Sequence, residues 1–240
     1  MKVKYDFHIH TALSSCALDE MTPHNIINMA LISDLNAIAI TDHNTCKNTQ
    51  AIMTLARDTS LVVIPGIEVE TAEEIHLVCL FPTISNAYKM QQFVYNQLPK
   101  LKNKTKIFGH QWLINTEDEI IGEEERLLSF ATGIIFEDVI AKAWELSGIA
   151  IPAHIDRPSY SVISNLGLLP VNDLLKCLEV SQYGNYIDYI SKYKDYRILQ
   201  SSDSHELGYI GICNRSLDIE LEDAELSPEI IIQLLRQNKN

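Results

Sequence analysis

The sequence predicts an α/β fold, a parallel sheet with helices outside it, open or closed into a barrel. Three observations predict it. Short apolar, β-rich runs alternate with helical stretches along the whole chain. The 240 residues, 46% of them hydrophobic, suffice for one such domain with a sizeable core. Finally, imidazoles and carboxylates gather at or just past the ends of the apolar runs, where parallel α/β folds keep their functional residues.

Residues 2–7 read as the first strand. Thr22-Pro23 then opens a helix through residue 34, with Thr22 at the N-cap and Pro23 at the first helical position. Residues 37–41 form a short buried run, followed by a helix near 48–58. Residues 61–64 and 67–70 are β-rich around Pro65-Gly66, 75–81 is another apolar strand, and 86–98 is helical up to Pro99. Residues 100–132 break the pattern, with a basic cluster (Lys100, Lys102, Lys104, Lys106) followed by an acidic one (Glu117, Asp118, Glu119, Glu123, Glu124, Glu125). This stretch reads as an irregular insertion or lid, or as a solvated helical hairpin. Alternation resumes with helices at 136–146, 171–177 and 187–193 and strands at 150–153, 178–181 and 197–201. Ser227-Pro228-Glu229 caps a final helix over 230–237. No repeat or linker divides the chain, so one domain over 1–240 is expected.

No apolar stretch is long enough for a membrane helix, and the N-terminus lacks a signal-peptide pattern. Five scattered cysteines, odd in number and without a CxxC, fit reduced thiols in the cytoplasm. A formal net charge of −13 argues against an extended nucleic-acid surface and for a small anionic substrate, because some acids would be metal ligands inside a locally cationic pocket.

The chemistry lies in His8-Ile9-His10, Thr41-Asp42-His43, Glu68, His76, His154 and Asp203-Ser204-His205. Residues i and i+2 of a strand share a face, so His8 and His10 can reach one ion. Six of the eight histidines occupy strand ends; His24 and His110 do not. Imidazole with carboxylate is the ligand chemistry of Zn²⁺, Mn²⁺ and Fe²⁺. Eight side chains exceed what one catalytic ion takes, so two or three divalent ions are expected, with Glu68 as the bridging carboxylate.

At these residues the chain resembles the PHP family, the polymerase and histidinol phosphatase domain. The matching motifs are HxH (His8-Ile9-His10), TDH (Thr41-Asp42-His43), the glutamate of Gly66-Ile67-Glu68, a mid-chain histidine, Ala153-His154 and Ser202-Asp203-Ser204-His205. The resemblance implies a distorted (β/α)7 TIM-like barrel with a trinuclear site at the C-terminal mouth of the strands. It implies that His8, His10, Glu68 and Asp203 hold one ion, and Glu68, His76 and His154 a second. His43, His205 and one residue after the first strand would hold the third. That last position departs from the family pattern: Ser15 and Cys16 stand where relatives carry His or Asp. Asp19 is the preferred replacement and Cys16 the alternative.

His76, in a strand-like run close behind Glu68, is preferred over His110 as the mid-chain ligand. Asp42 is placed to orient a ligand imidazole or to cap the following turn. Arg157 and Ser159, on the loop after His154, are candidate substrate-phosphate contacts, Arg157 by its planar fork. Tyr160, Tyr183 and Tyr186 are candidates for stacking or for plain packing. The expected reaction is hydrolysis of a small phosphomonoester by metal-activated hydroxide, with Glu68, Asp203 and His205 in the catalytic centre and His205 or a metal-bound water assisting the leaving oxygen. The alternatives are an amidohydrolase-type hydrolase, which typically bridges two ions with a mid-barrel lysine absent here, and a non-catalytic metal-binding module.

Overall fold

The computed structural model describes residues 1–221 and 224–239. The chain runs β1 (Lys2–Ile9), α1 (Pro23–Ile32), β2 (Ala37–Ile40), α2 (Thr49–Ala56), β3 (Val62–Glu70), β4 (His76–Leu80) and α3 (Ile84–Gln97). It continues through α4 (Thr105–Phe108), β5 (Trp112–Ile114), β6 (Ile120–Glu123), α5 (Phe136–Glu145), β7 (Ile149–Pro152) and α6 (Val162–Leu166). Then follow β8 (Cys177–Val180), α7 (Tyr186–Lys192), β9 (Arg197–Gln200), β10 (Arg215–Asp218) and α8 (Pro228–Arg236).

The strands build a curled half-barrel. Six of them pair in the order β10-β1-β2-β3-β4-β7, and β8-β9 is a separate parallel ladder. The loop after β9 returns to β1 through a parallel bridge between Ile9 and Ser204, with Ser204 N–H donating to the His8 carbonyl at 3.1 Å. The expected all-parallel sheet needs correction: β4 runs antiparallel to both β3 and β7, and β10 is antiparallel to β1. That reversal has a consequence for the site. A ligand at the first residue of β4 comes to the same end of the sheet as ligands at the last residues of parallel strands.

Pro65-Gly66 does not divide two strands but sits inside one. The first half of β3 pairs with β2 and the second half with β4, and the change of partner falls between Pro65 and Gly66. A residue without an N–H costs little at that hand-over. A Cβ at Gly66 would lie 2.8 Å from Thr41 Cγ2 and 3.0 Å from the Ile40 carbonyl, so the strand needs glycine to approach β2 this closely.

Alternation along the strands divides the core. Ala37, Ala39 and Ile64 face inward with Val3, Tyr5 and Phe7, and α8 covers that cluster with Ile231, Ile232 and Leu235. Ile38, Ile40 and Val63 face outward against α1 and α2. The outer faces of β3 and β4 pack against α3 and α5 through Met90, Val94, Phe136 and Val139.

Residues 171–176 are not the expected helix. The Asn172 side chain accepts from Leu174 N–H at 2.9 Å and its carbonyl from Leu175 N–H at 3.0 Å, a local turn that competes with helix in so short a stretch. The 100–132 segment is built and tethered rather than loose: α4 and the β5–β6 hairpin dock on the body. Trp112 N–H donates to the Ala12 carbonyl at 2.9 Å, and Asn48 bonds both Trp112 O and Ile114 N at 3.0 Å. Asp118, from the hairpin turn, accepts from Thr22 Oγ1 at 2.6 Å and His24 N–H at 3.1 Å. The α1 N-terminus is therefore capped by Asp118, and Thr22 holds that carboxylate instead of capping the helix itself.

Candidate metal centre

His8 lies near the end of β1, where the register against β2 shifts between Asp6 and Ile9, and His10 follows the strand. Their rings sit 5.2 Å apart on one face. Two residues earlier, buried Asp6 accepts from Ser202 N–H at 3.0 Å and Gly211 N–H at 2.8 Å, fixing the Asp203–His205 loop to β1. His43 follows β2 and bridges Glu68 in parallel; His76 opens β4; His154 follows β7. His154 and Asp203 both hold positive φ, +31° and +53°, a strained backbone for non-glycine residues that accompanies functional positions.

Five imidazoles converge on the buried Glu68 carboxylate. His8 Nε2, His76 Nδ1 and His154 Nε2 lie 3.1, 3.0 and 3.5 Å from Oε1, and His10 Nε2 and His43 Nδ1 lie 3.4 and 2.9 Å from Oε2. Asp203 Oδ1 lies 3.3 Å from His8 Nε2 and 3.2 Å from His10 Nε2. His10, His43 and His205 form one group able to hold an ion, His8, His10 and Asp203 a second, and His43, Glu68 and His76 a third.

The far sides of these ligands are held in turn. His8 Nδ1 is 2.8 Å from Glu179 Oε1, which also takes His154 N–H at 3.3 Å. His10 Nδ1 meets Ser14 Oγ at 2.9 Å, and Ser14 donates to Asp42 at 2.7 Å. Asp42 also accepts from Thr11 N–H and Oγ1, so it steers His10 through Ser14 rather than the adjacent His43. His205 Nδ1–H donates to the Asp203 carbonyl at 2.9 Å, leaving Nε2 free. This is how proteins fix the tautomer and direction of metal-binding histidines. Sequence reasoning missed Glu179 and Ser14. A carboxylate inside the buried strand β8 was a signal, since buried charge is retained only with a partner.

The electrostatics fit a cationic occupant. Burial opposes ionising Glu68, yet His76, His8 and His43 hold its carboxyl well below the usual range. Burial likewise opposes charge on His8, but Glu179, Asp203 and Glu68 raise it well above its ordinary value. Burial, followed by the charges of His205 and His43, lowers His10. The buried atoms His8 Nε2, His10 Nε2, His43 Nδ1, His154 Nδ1 and Glu68 Oε2 make no hydrogen bond. Buried polar atoms without partners are costly. Nitrogen and carboxylate donors aimed at one small volume fit Zn²⁺, Mn²⁺ or Fe²⁺.

The remaining expected residues divide. Asp19 is exposed and accepts from Trp112 Nε1 at 3.0 Å, so it is engaged by the hairpin and not turned to the histidines. Cys16, exposed at the surface, is the residue beside them: partial loss of hydration works against its thiolate, but His43 and His205 bring it down to about 6. Arg157, expected on substrate, places Nη1 2.7 Å from Asp203 Oδ2, leaving Oδ1 for the imidazoles; Ser159 is exposed on the same loop. His110 is exposed, stacked at 4.2 Å on Trp112 and paired with Glu123, while His24 pairs with Asp118. Tyr183 is exposed, and the Tyr186 hydroxyl donates to the Ile198 carbonyl while its ring carries Arg215.

A curled α/β sheet with a histidine–carboxylate cluster at one end defines a metal-dependent hydrolase. The chain belongs to the PHP domain family, whose profile matches residues 6–197. Among solved structures it is similar to the lesion-specific endonuclease Q of Pyrococcus furiosus, with a TM-score of 0.67 and 19% identity over 98% of this chain and 56% of that one. Endonuclease Q bound to a 27-mer duplex with an abasic lesion matches at 0.67 with 18% identity over the same shares, 98% and 56%. A putative metal-dependent phosphoesterase from Bifidobacterium adolescentis matches at 0.59 with 15% identity over 96% of this chain and 95% of that one. An amidohydrolase from Chromobacterium violaceum matches at 0.58 with 17% identity over 90% and 92%. No curated protein sequence matches. This chain thus spans little more than half of the endonuclease Q chains it resembles.

The expectation of a small phosphorylated substrate and no extended nucleic-acid surface is overturned by the likeness to endonuclease Q, which was captured on DNA. The net charge counts acids wherever they lie, and part of it is interior rather than on the surface. Asp6, Asp42, Glu68, Glu70, Glu124, Glu179 and Asp203 are all buried, whereas no Lys or Arg is buried among the described residues. Among these residues, no helix is long and apolar enough to cross a membrane.

Proposed function

We propose that this chain is a metal-dependent phosphodiesterase that cuts a nucleic-acid strand. The observation that carries the reading is the convergence of five histidines on Glu68, with Asp203 closing the opposite side. Two or three divalent ions, Zn²⁺, Mn²⁺ or Fe²⁺, would lie among His8, His10, His43, Glu68, His76, His154, Asp203 and His205, with Glu68 shared between them. When bound, such ions supply a water of lowered pKa and neutralise the non-bridging phosphate oxygens.

The chain's own residues do the rest. Glu179, Ser14 and the Asp203 carbonyl hold the imidazoles in the orientation that leaves their inner nitrogens free. Arg157 holds one oxygen of Asp203 so that the other faces His8 and His10. His205 is more exposed than the other clustered histidines and would present Nε2 to an ion at the open side of the cluster. The likeness to endonuclease Q favours a strand over a small phosphomonoester, and the seven buried acids lower the negative excess of the surface without reversing it.

The test is cleavage of an end-labelled 20-mer, single-stranded, duplex, or duplex with one abasic position, by protein loaded with Mn²⁺ or Zn²⁺. The wild type cuts at least one strand, and His10→Ala and Asp203→Ala abolish cutting while retaining the far-ultraviolet dichroism of the fold. Intact strands in every wild-type reaction, or full activity in either variant, would sink the proposal.

A further inference from the structure

Beside the metal centre lies a cleft of about 350 Å³ whose chemistry differs from that of the histidine cluster. It shares His43 and His76 with the centre, and its walls carry two exposed aromatic rings, Phe130 and Tyr160, 42% and 46% accessible. Both rings belong to backbone tied to ligand-bearing segments. The Phe130 carbonyl accepts from the Asn44 side chain at 3.0 Å, one residue after His43. The Tyr160 carbonyl accepts from His76 N–H at 3.0 Å, and its ring is backed by the His76 imidazole at 4.9 Å. Tyr160 holds this pose at φ +55°, a strained backbone for tyrosine.

The charges of the cleft decide what it takes. Its remaining walls include Glu70 and Glu74, and no Lys or Arg lines it among the described residues. Two carboxylates would repel a phosphate, so a phosphate belongs on the metal side and something neutral in the cleft. Flat aromatic walls select a flat ring. Carboxylates at neutral pH only accept hydrogen bonds, so they select a ring with amino donors.

We infer that Phe130 and Tyr160 form a stacking site for one unpaired, amino-bearing nucleobase of the strand, with Glu70 and Glu74 accepting from its exocyclic amine. This rests on the proposed nucleic-acid substrate and deepens it, since a base held here places its own backbone next to the metal cluster. Stacking on an aromatic side chain tolerates any base, and the carboxylates add the preference.

Three 10-mers test it on the metal-loaded protein: oligo-deoxycytidine, oligo-thymidine and a strand of abasic spacers with the same phosphates but no bases. Kd is read by fluorescence anisotropy and kcat/KM by cleavage. The cytosine strand binds about tenfold or more tighter than the spacer strand. It also binds about fivefold or more tighter than the thymine strand, which lacks the exocyclic amine. Tyr160→Ala and Phe130→Ala collapse the cytosine-to-spacer ratio toward one, Tyr160→Phe restores it, and Glu74→Gln narrows the cytosine-to-thymine ratio. Metal content of each variant is measured alongside, because a merely structural role would move it and would lower all three strands together. Equal wild-type affinity for cytosine and spacer strands, or an unchanged ratio in both alanine variants, overturns the stacking site. Selective binding of the cytosine strand with no cleavage of any strand leaves the site standing and removes the proposed activity.

Discussion

Glu179 shows how much of the metal centre resides in side chains that never face the cluster. Its Oε1 meets His8 Nδ1 at 2.8 Å, and both groups are buried. The carboxylate makes the imidazole a better donor and fixes the ring so that Nε2 points at Glu68 and Asp203. Glu179→Gln keeps the shape and removes the charge. It is expected to weaken metal binding about 10- to 100-fold, read by competition with a chromogenic chelator, with the circular dichroism of the fold retained. Wild-type affinity in that variant would show that the contact is packing alone. The clustering of these imidazoles and carboxylates was legible in the sequence, because HxH, TDH and SDxH put them where apolar strands end. For Glu179 the sequence signalled only a buried carboxylate in need of a partner, and the partner, His8, lies 171 positions away. Asp19 misled for a related reason: an acid ahead of a helix looks available, and only the fold shows it bonded to Trp112.

At the scale of elements, the 100–132 segment behaves as a brace. Asp118 caps α1 from 96 positions away, and Glu124 sits between Lys47, Tyr95 and the Arg126 N–H. Asp118→Ala removes both bonds to the α1 N-terminus and is expected to cost about 1 kcal/mol, lowering Tm by about 2–4 °C in calorimetry. An unchanged Tm would show the cap to be idle. Glu124 adds a dependence on pH. Burial raises its carboxyl, but Lys47 and the Arg126 N–H more than offset that and depress it below the ordinary 4.5. A depressed carboxylate stabilises the fold fully above its unfolded value and loses that contribution as pH falls through the folded one. The difference in urea midpoint between wild type and Glu124→Gln should therefore be widest near neutrality and shrink below pH about 4.5. A gap that widens on acidification would contradict the sign. Neither the cap nor the brace could be read from the chain, where this stretch shows only blocks of like charge. Most other elements were legible from apolar period and helix punctuation. The exceptions, β10, α6 and the turn at 171–176, are short segments decided by the sheet edge, the Ser161 cap and the Asn172 side chain.

For the whole molecule, the alternation of strands and helices conveyed an α/β architecture but not the reversed β4, because strand direction depends on which neighbour a strand meets rather than on its composition. The reversal puts His76 opposite Glu70, with its Nδ1 3.0 Å from the Glu68 carboxylate, and completes a cluster drawn from β1, β2, β3, β4, β7 and the loop after β9. An ion there would tie together strands that the hydrogen-bonded ladders leave in two separate sheets. Since no preformed site survives unfolding, that binding energy becomes folding energy. Without metal, the buried inner nitrogens of His8, His10 and His43 are left unpaired around one carboxylate. Free metal at about a hundred times its Kd stabilises the native state by about 2.7 kcal/mol, which for a chain of this size corresponds to roughly 5–10 °C in Tm. Dialysis against a chelator should lower Tm by that amount, and returning Mn²⁺ or Zn²⁺ should restore it. His10→Ala, which removes a ligand common to two of the three groups, should show a smaller shift on chelation than the wild type. A wild-type Tm indifferent to chelator and metal alike would mean that no ion bridges these strands.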